Sequence, residues 1–367
     1  MEPLKNELSA AKVRTIGSAI RRVHPGFPMD RYQRGLEDAL EPLELKQRVR
    51  FIAERIGTCL PEDPKTMFPI LTGALAVDDM RGFLVWPLTE VVARRGLGHF
   101  VESMRALREM TCRFTAEFAI RPFLRAMPEK TLRQLHQWCD DPDHHVRRLV
   151  SEGSRPFLPW GGNLTELLDP PHPTLGLLEK LHRDPSDYVR LSVSNHLNDI
   201  SKRHPELVVG TLARWRKSAP RNRHWEKLAR HASRTLIKQG HPAALDLHGF
   251  GAARLLEVVS LKLGCKTVKL GEFLDYELVI RNLGRGEVRV LFDYAIHHRK
   301  ANGSLSPKVF KGRVKPLAAG GTWHVRGSHP IKPVTTRVYH SGIHLFEPRI
   351  NGMAREVREF KLVLPDT

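Results

Sequence analysis

The feature that most limits what this chain can fold into is an internal echo. The segment DPDHHVRRLVSEGSRPFLPW, from Asp141, is matched by DPSDYVRLSVSNHLNDISK, from Asp184, an offset of 43 residues at which Asp-Pro, Val and Arg recur. Each copy follows an apolar stretch of helical spacing, LRQLHQW or LGLLEKL, so the unit reads as helix, Asp-Pro turn, helix. Two helices with a period in the forties lie in the HEAT/armadillo range, where units stack because one helix pair cannot bury its apolar face alone. A weaker third copy runs through APRNRHWEKLARHASRTLI. Stacked pairs form a solenoid whose concave face suits an extended ligand.

Helical spacing extends from the N-terminus to about residue 250, for example through Leu45, Val49, Ile52 and Ile56, and again through Leu132, Leu135 and Trp138. After Gly249-Phe250-Gly251 the pattern changes to short β-branched runs, LEVVSLKL, KTVKL, DYELVIRNL, EVRVLFDYAIH and REFKLVLP, separated by Gly, Asn and Pro. The chain has 367 residues, room for two domains at about 100–200 residues each. The reading is therefore mainly α: a HEAT-like helical-repeat solenoid over residues 1–250, then an immunoglobulin-like β-sandwich over residues 251–367, with a small barrel as the alternative.

The net charge of +19 opposes compaction by self-repulsion, and a polyanionic partner accounts for the excess. The charge is regional. Between Tyr294 and Phe346 there is no Asp or Glu, yet Arg299, Lys300, Lys308, Lys311, Arg313, Lys315, Arg326, Lys332 and Arg337 all fall there. Between Ser201 and Gly240 eleven Lys or Arg face only Glu206 and Glu226. Two such regions suit a clamp on nucleic-acid phosphates, with the segments KANGSLSPK and FKGRVK read as β-domain loops that reach the duplex. Four widely spaced cysteines fit neither a zinc site nor a redox dithiol, and no segment has the length and apolarity of a signal peptide core or a membrane span. A cytoplasmic, nucleoid-associated protein is expected.

Three segments place polar residues on otherwise apolar helices. FTAEFAIRPFL sets Phe114 and Phe118 on one face and Glu117 and Arg121 on another. RRLVSEGSRPFLPW places Glu152 between Arg148 and Arg155 before the chain breaks at Pro156, Pro159 and Trp160. SVSNHLNDISK puts Asn195 and Asp199 on one face. From spacing alone, Glu117 with Arg121 and Arg148 with Glu152 are ordinary i, i+4 pairs contributing about 0.2–0.5 kcal/mol each. From the residues alone Trp160 reads as a core or inter-repeat plug, and Asp199 as a turn-stabilising residue or a partner for Lys202 or Arg203. No GxxxxGK[ST], HExxH or GxSxG occurs, and the 19 histidines form no ligand cluster at metal spacing, so neither metal nor cofactor is expected.

In these same segments, TAEFAIRPFL, VRRLVSEGSRPFLPW and YVRLSVSNHLNDISK followed by HPELV, the sequence resembles the AlkC branch of the HEAT-like-repeat (AlkC/AlkD) DNA glycosylases. The resemblance implies hydrolysis of the N-glycosidic bond of alkylated bases, notably N3-methyladenine, in duplex DNA, without deep flipping of the base. A ring-methylated base leaves neutral, so the demand falls on the sugar, whose oxocarbenium-like charge needs a nearby negative potential and a placed water. By resemblance Glu117 and Glu152 stabilise that charge and orient water, Asp199 is a third carboxylate of the same kind, and Trp160 packs an aromatic face on the sugar or the cationic base. Arg148, Arg155, Arg190 and Lys202 become phosphate contacts on the repeat domain, joined by Arg299, Lys300, Lys308, Lys311 and Arg313 on the β domain. A monomer suffices for such a clamp. The alternatives are a noncatalytic DNA-binding or damage-recognition scaffold and a HEAT-type protein adaptor, the latter leaving the charge unexplained.

Overall fold

The computed structural model describes residues 3–170, 172–334 and 337–365. Its chain forms two compact units, one of residues 1–203 with 222–232, the other of residues 204–221 with 233–367. No helix among the described residues is long and apolar enough to cross a membrane.

The first unit is built of HEAT-like helix pairs. Helix Leu45–Cys59 buries Val49, Ile52 and Ile56 and packs on Trp86–Arg95, while Pro64–Gly73 packs on Phe100–Thr111. The echo becomes two consecutive pairs. Helix Pro128–Trp138 precedes His144–Gly153, helix Leu175–Leu181 precedes Asp187–Ile200, and the second helices of the two pairs pack side by side. The weaker third copy supplies Trp225–Ala232, which stacks on Asp187–Ile200 in turn. A short antiparallel hairpin, β1 (Phe157–Leu158) and β2 (Gly162–Asn163), interrupts the repeat after the first pair.

The recurring residues join these pairs. Asp141 Oδ1 accepts the Asp143 N–H at 2.9 Å while its Oδ2 accepts Arg108 Nε at 2.6 Å. One unit later, Asp184 Oδ1 accepts the Ser186 N–H at 2.8 Å, and its two oxygens take Arg147 Nε and Nη2 at 2.6 and 3.0 Å. Each Asp thus closes its own turn and receives an arginine from the preceding unit. Arg147 and Arg190, equivalent at the repeat offset, also donate to the carbonyls of Asp141 and Asp184 respectively.

The second unit carries a β-sandwich. Strands β3 (Leu256–Leu263), β5 (Phe273–Asn282) and β8 (Thr322–Pro330) form one sheet in the order β3-β5-β8. Strands β4 (Thr267–Lys269), β6 (Val288–Arg299), β7 (Leu305–Leu317), β9 (Gly342–Ile350) and β11 (Arg358–Val363) form the other, ordered β4-β11-β9-β6-β7, with the short β10 (Met353–Ala354) on β9. Alternate residues such as Leu278, Ile280, Val290, Phe292, Phe346 and Phe360 fill the core between them.

Two expectations change. The compact units do not divide at residue 250: Leu245 and Phe250, with Ile237 beside them, pack on Leu291 of β6, which draws the last helices into the β unit. FKGRVK is strand, not loop, and lies in β7, an edge strand paired with β6 through a bulge at Phe292/Asp293, where Gly312 N–H reaches Asp293 Oδ1 at 2.8 Å. Edge strands carry charge that discourages edge-to-edge pairing, so the lysines of β7 hid its strand pattern.

Candidate active site

Three segments of the first unit meet at one place. Helix His144–Gly153 brings Arg148 and Glu152 one turn apart, and Arg155 follows its C-terminus. The neighbouring helix Asp187–Ile200 brings Ser192 and Asp199, and Glu117 comes from a turn before helix Arg121–Ala126. That turn departs from the expected continuous helix. Thr115 Oγ1 accepts the Glu117 N–H at 3.2 Å, Pro122 starts a new helix, and Phe118 stacks on Trp86 with ring centroids 4.9 Å apart. Glu117 and Arg121 therefore form no i, i+4 pair.

The charges form an alternating chain, Glu117–Arg148–Glu152–Arg155–Asp199–Lys202. Arg148 Nη1 donates to Glu117 Oε2 and, at 2.8 Å, to Thr115 Oγ1; its Nη2 lies 3.5 Å from Glu152 Oε1. Arg155 Nη1 donates to the same Glu152 oxygen at 2.6 Å and its Nε to Asp199 Oδ2 at 2.9 Å. Lys202 Nζ meets Asp199 Oδ1 at 3.1 Å and lies over the Phe157 ring. Ser192 Oγ donates to Glu152 Oε2 at 2.6 Å. Five of the six carboxylate oxygens are thereby engaged, and among the described residues Glu117 Oε1 is the one that accepts nothing.

Burial grades the chain. The Asp199 side chain is 2% exposed, Glu152 7%, Glu117 11%, Arg148 15% and Lys202 42%, so the Lys202 end opens to solvent while all three carboxylates are buried, Glu117 least deeply. Burial pushes the Glu152 carboxyl up, but Arg148, Arg155 and the Ser192 hydroxyl outweigh it and hold Glu152 below the usual carboxylate range, ionised at neutral pH. Beside it His196 is fully buried and bridges the helices, Nδ1 to Ser151 O at 2.9 Å and Nε2 to Thr174 Oγ1 at 3.1 Å; burial pulls its pKa down to about 4, so it stays neutral.

Trp160 sits at the tip of the β1–β2 hairpin, 56% exposed and with φ +65°, a conformation a non-glycine residue keeps only where its surroundings impose it. The core-plug alternative for Trp160 is thereby excluded. Tyr188, which spacing did not single out, lies under the Arg148 guanidinium at 5.0 Å from the ring centroid and is itself exposed. Spacing also missed Ser192 and Thr115. The repeat register, which sets residues near n + 43 against residue n, was a signal for Ser192 only; Thr115 lies outside the echo, and neither hydroxyl is distinctive in sequence.

The expected phosphate contacts divide. Arg148 and Lys202 are the more exposed cations of the chain, Lys202 much the more so. Arg155 and Arg190 are buried, the first between two carboxylates, the second on Asp184 O, Asp187 Oδ1 and His224, so both are committed internally and neither offers a free guanidinium. On the β unit, Arg299, Lys300 and Lys308 gather with Ser306, Arg337 and His340 around a surface pocket of about 210 Å³. Lys311 and Arg313 lie further along β7, opposite Asp293 and Phe292. Asp143, His144 and His145 bring ligand-type atoms within 4.8 Å of one another, a grouping the spacing did not suggest, although Asp143 already caps its helix through the His145 N–H at 2.7 Å.

Residues 257–364 match the family model described as the C-terminal Ig-like domain of uncharacterised protein YhaZ. The uncharacterized protein YhaZ of Bacillus subtilis is 36% identical over 345 residues, 94% of each chain. The structure of the Pseudomonas fluorescens alkylpurine DNA glycosylase AlkC, bound to DNA containing an abasic site analog, superposes with a TM-score of 0.92 at 35% identity, covering 99% of this chain and 100% of that one. With HEAT-like repeats and an Ig-like domain matched over their full length, the chain belongs to the AlkC-type branch of the HEAT-like-repeat DNA glycosylase family.

Proposed function

We propose that this protein is a monofunctional DNA glycosylase that hydrolyses the N-glycosidic bond of alkylated bases, N3-methyladenine among them, in duplex DNA, and does so without drawing the base into a deep pocket. The observation that carries the reading is the alternating charge chain with one unengaged carboxylate oxygen, on Glu117 at its first member. As the C1′–N bond breaks, its electron pair stays with the cationic base, which leaves neutral. The positive charge that grows on the sugar meets the carboxylates of Glu117 and Glu152. Glu117 Oε1, free to accept, orients the water whose oxygen bonds to C1′ and takes up its proton. Asp199, with both oxygens occupied, acts by holding Arg155 and through it Glu152. Backbone phosphates draw Arg148 and Lys202 outward and leave the carboxylates facing the sugar, where a water-poor site strengthens the interaction. Trp160 packs against the lesion from the hairpin.

The β-unit pocket at Arg299, Lys300, Lys308 and Arg337, with Lys311 and Arg313 beyond it, takes the duplex backbone, so that one monomer holds the DNA in the bacterial cytoplasm. None of the four pocket cations has a carboxylate partner among the described residues. The similarity to AlkC favours an enzyme over a scaffold, because the carboxylates are present and preorganised. Incubation with N-methylated duplex DNA, with released bases measured by chromatography, tests the reading. The parent releases N3-methyladenine, and Glu152→Gln and Glu117→Gln each release it far more slowly; parental rates in both variants would overturn the proposal.

A further inference from the structure

Arg121 is the largest fully buried side chain among the described residues, 1% exposed, and it has no ion-pair partner among them. Four of its N–H groups go to backbone carbonyls instead. Nη1 donates to Gly153 O at 2.9 Å and Arg155 O at 2.8 Å, at the end of the helix that carries Arg148 and Glu152. Nε donates to Gly161 O at 3.1 Å and Nη2 to Gly162 O at 2.8 Å, in the turn that carries Trp160. Two further cations extend this row on the hairpin: Lys46 Nζ donates to Trp160 O, and Arg125 Nη2 to Asn163 O at 3.0 Å. Every carbonyl from residue 160 to 163 is thus held by a cationic donor. Burial drags the Arg121 pKa down to about 10, a sign of how unfavourable the site is for a cation that no carboxylate offsets. Stitching a surface hairpin to a core does not require a buried guanidinium. A rigid planar fork that reaches two segments at once does.

We propose that Arg121 is a positioning residue of the active site, whose guanidinium ties the carbonyl end of the Glu152 helix to the Trp160 turn and so fixes the separation between carboxylate and indole. Lys46 is the outer clamp of the same turn. The inference rests on the glycosylase reading and on the role given there to Trp160. Lysine at position 121 keeps the charge but cannot span four carbonyls, so Trp160 loses its fixed place while the fold keeps its core.

The test is a double-mutant cycle in single-turnover excision from methylated duplex DNA, using the full chain labelled with 5-fluorotryptophan. In Arg121→Lys the rate at saturating DNA falls about 10- to 100-fold with half-saturation changed by less than threefold. In a Trp160→Ala background the same change costs less than twofold. The fluorine resonance that disappears in Trp160→Ala broadens or splits in Arg121→Lys, and the lines of the other five tryptophans stay in place. Lys46→Met, an exposed change, gives the same cycle with a smaller amplitude and serves if Arg121→Lys folds poorly. An unmoved Trp160 resonance, or a loss that multiplies undiminished onto an impaired Trp160→Ala, would overturn this proposal alone. Parental excision by Trp160→Ala would overturn the role of Trp160 and this proposal with it.

Discussion

The two copies of the echo can be laid over each other residue by residue, and what they share differs in kind from what they do not. Asp141 and Asp184, Val146 and Val189, Arg147 and Arg190, Val150 and Val193 agree. These are the residues that close the turns, fill the space between helices and link one unit to the next. Arg148, Glu152 and Arg155 instead correspond to Leu191, Asn195 and Asn198. These departures form the middle of the charge chain. A repeat therefore separates two constraints that are usually mixed: stacking recurs at equivalent positions in every unit, whereas the charge chain takes different residues from each.

Breaking the unshared positions should have the largest effect. Glu152→Gln keeps the shape and removes the charge, and is expected to lower single-turnover excision by about 10²–10³-fold, the loss typical of one preorganised electrostatic contact, at a smaller cost in stability than stranding a buried arginine, because Arg148 keeps Glu117 and Arg155 keeps Asp199. Breaking a shared position should do the opposite. Asp184→Ala strands Arg147, whose side chain is only 13% exposed, and should cost about 3 kcal/mol by urea unfolding while the folded fraction cleaves normally. Asp141→Ala should cost less, because its partner Arg108 is 42% exposed and water replaces much of the pair.

Acid should act on the packing between the two units through His196, which bridges Ser151 and Thr174. Its folded pKa is depressed, so its contribution to stability is complete above the unfolded value of about 6.5 and is lost as pH falls towards 4, at about 1.4 kcal/mol per pH unit. Unfolding at pH 7 and pH 5 should differ by about 2 kcal/mol from this group, and His196→Gln should flatten that dependence. The excision rate should show no titration from Glu152 at its usual carboxylate pKa, because its two arginines hold it ionised further into acid. The smallest effect belongs to the β unit. Replacing Lys308 by Met should reduce the slope of log affinity against log salt by about 1, a single phosphate contact.

The same division explains what could be read in advance. The shared positions announced the helix pairs because stacking repeats its requirements at a fixed offset. Arg148, Glu152 and Arg155 were visible as pairs three and four residues apart, although their energies alone gave no reason to prefer chemistry to surface salt bridges. Glu117 lies outside the echo and on a turn where spacing indicated helix, so its union with Arg148 across 31 residues had no periodic signal. Arg155 offered no hint that Asp199 and Glu152 would enclose it. Arg121 was the least legible: its partners are backbone carbonyls, which leave no mark in a sequence. In the β unit the alternating core strands were plain, and β7 was obscured by the charge that protects an edge.

The charge chain from Glu117 to Lys202 is proposed to recognise a cationic sugar. This recognition is tested most directly by comparing affinity for two duplexes, one holding a protonated pyrrolidine in place of the damaged nucleoside's sugar, the other a neutral tetrahydrofuran. The parent protein should prefer the cation by at least about tenfold, and Glu152→Gln should lose most of that preference while binding the neutral duplex as before. Equal affinity of the parent for both duplexes would contradict the account.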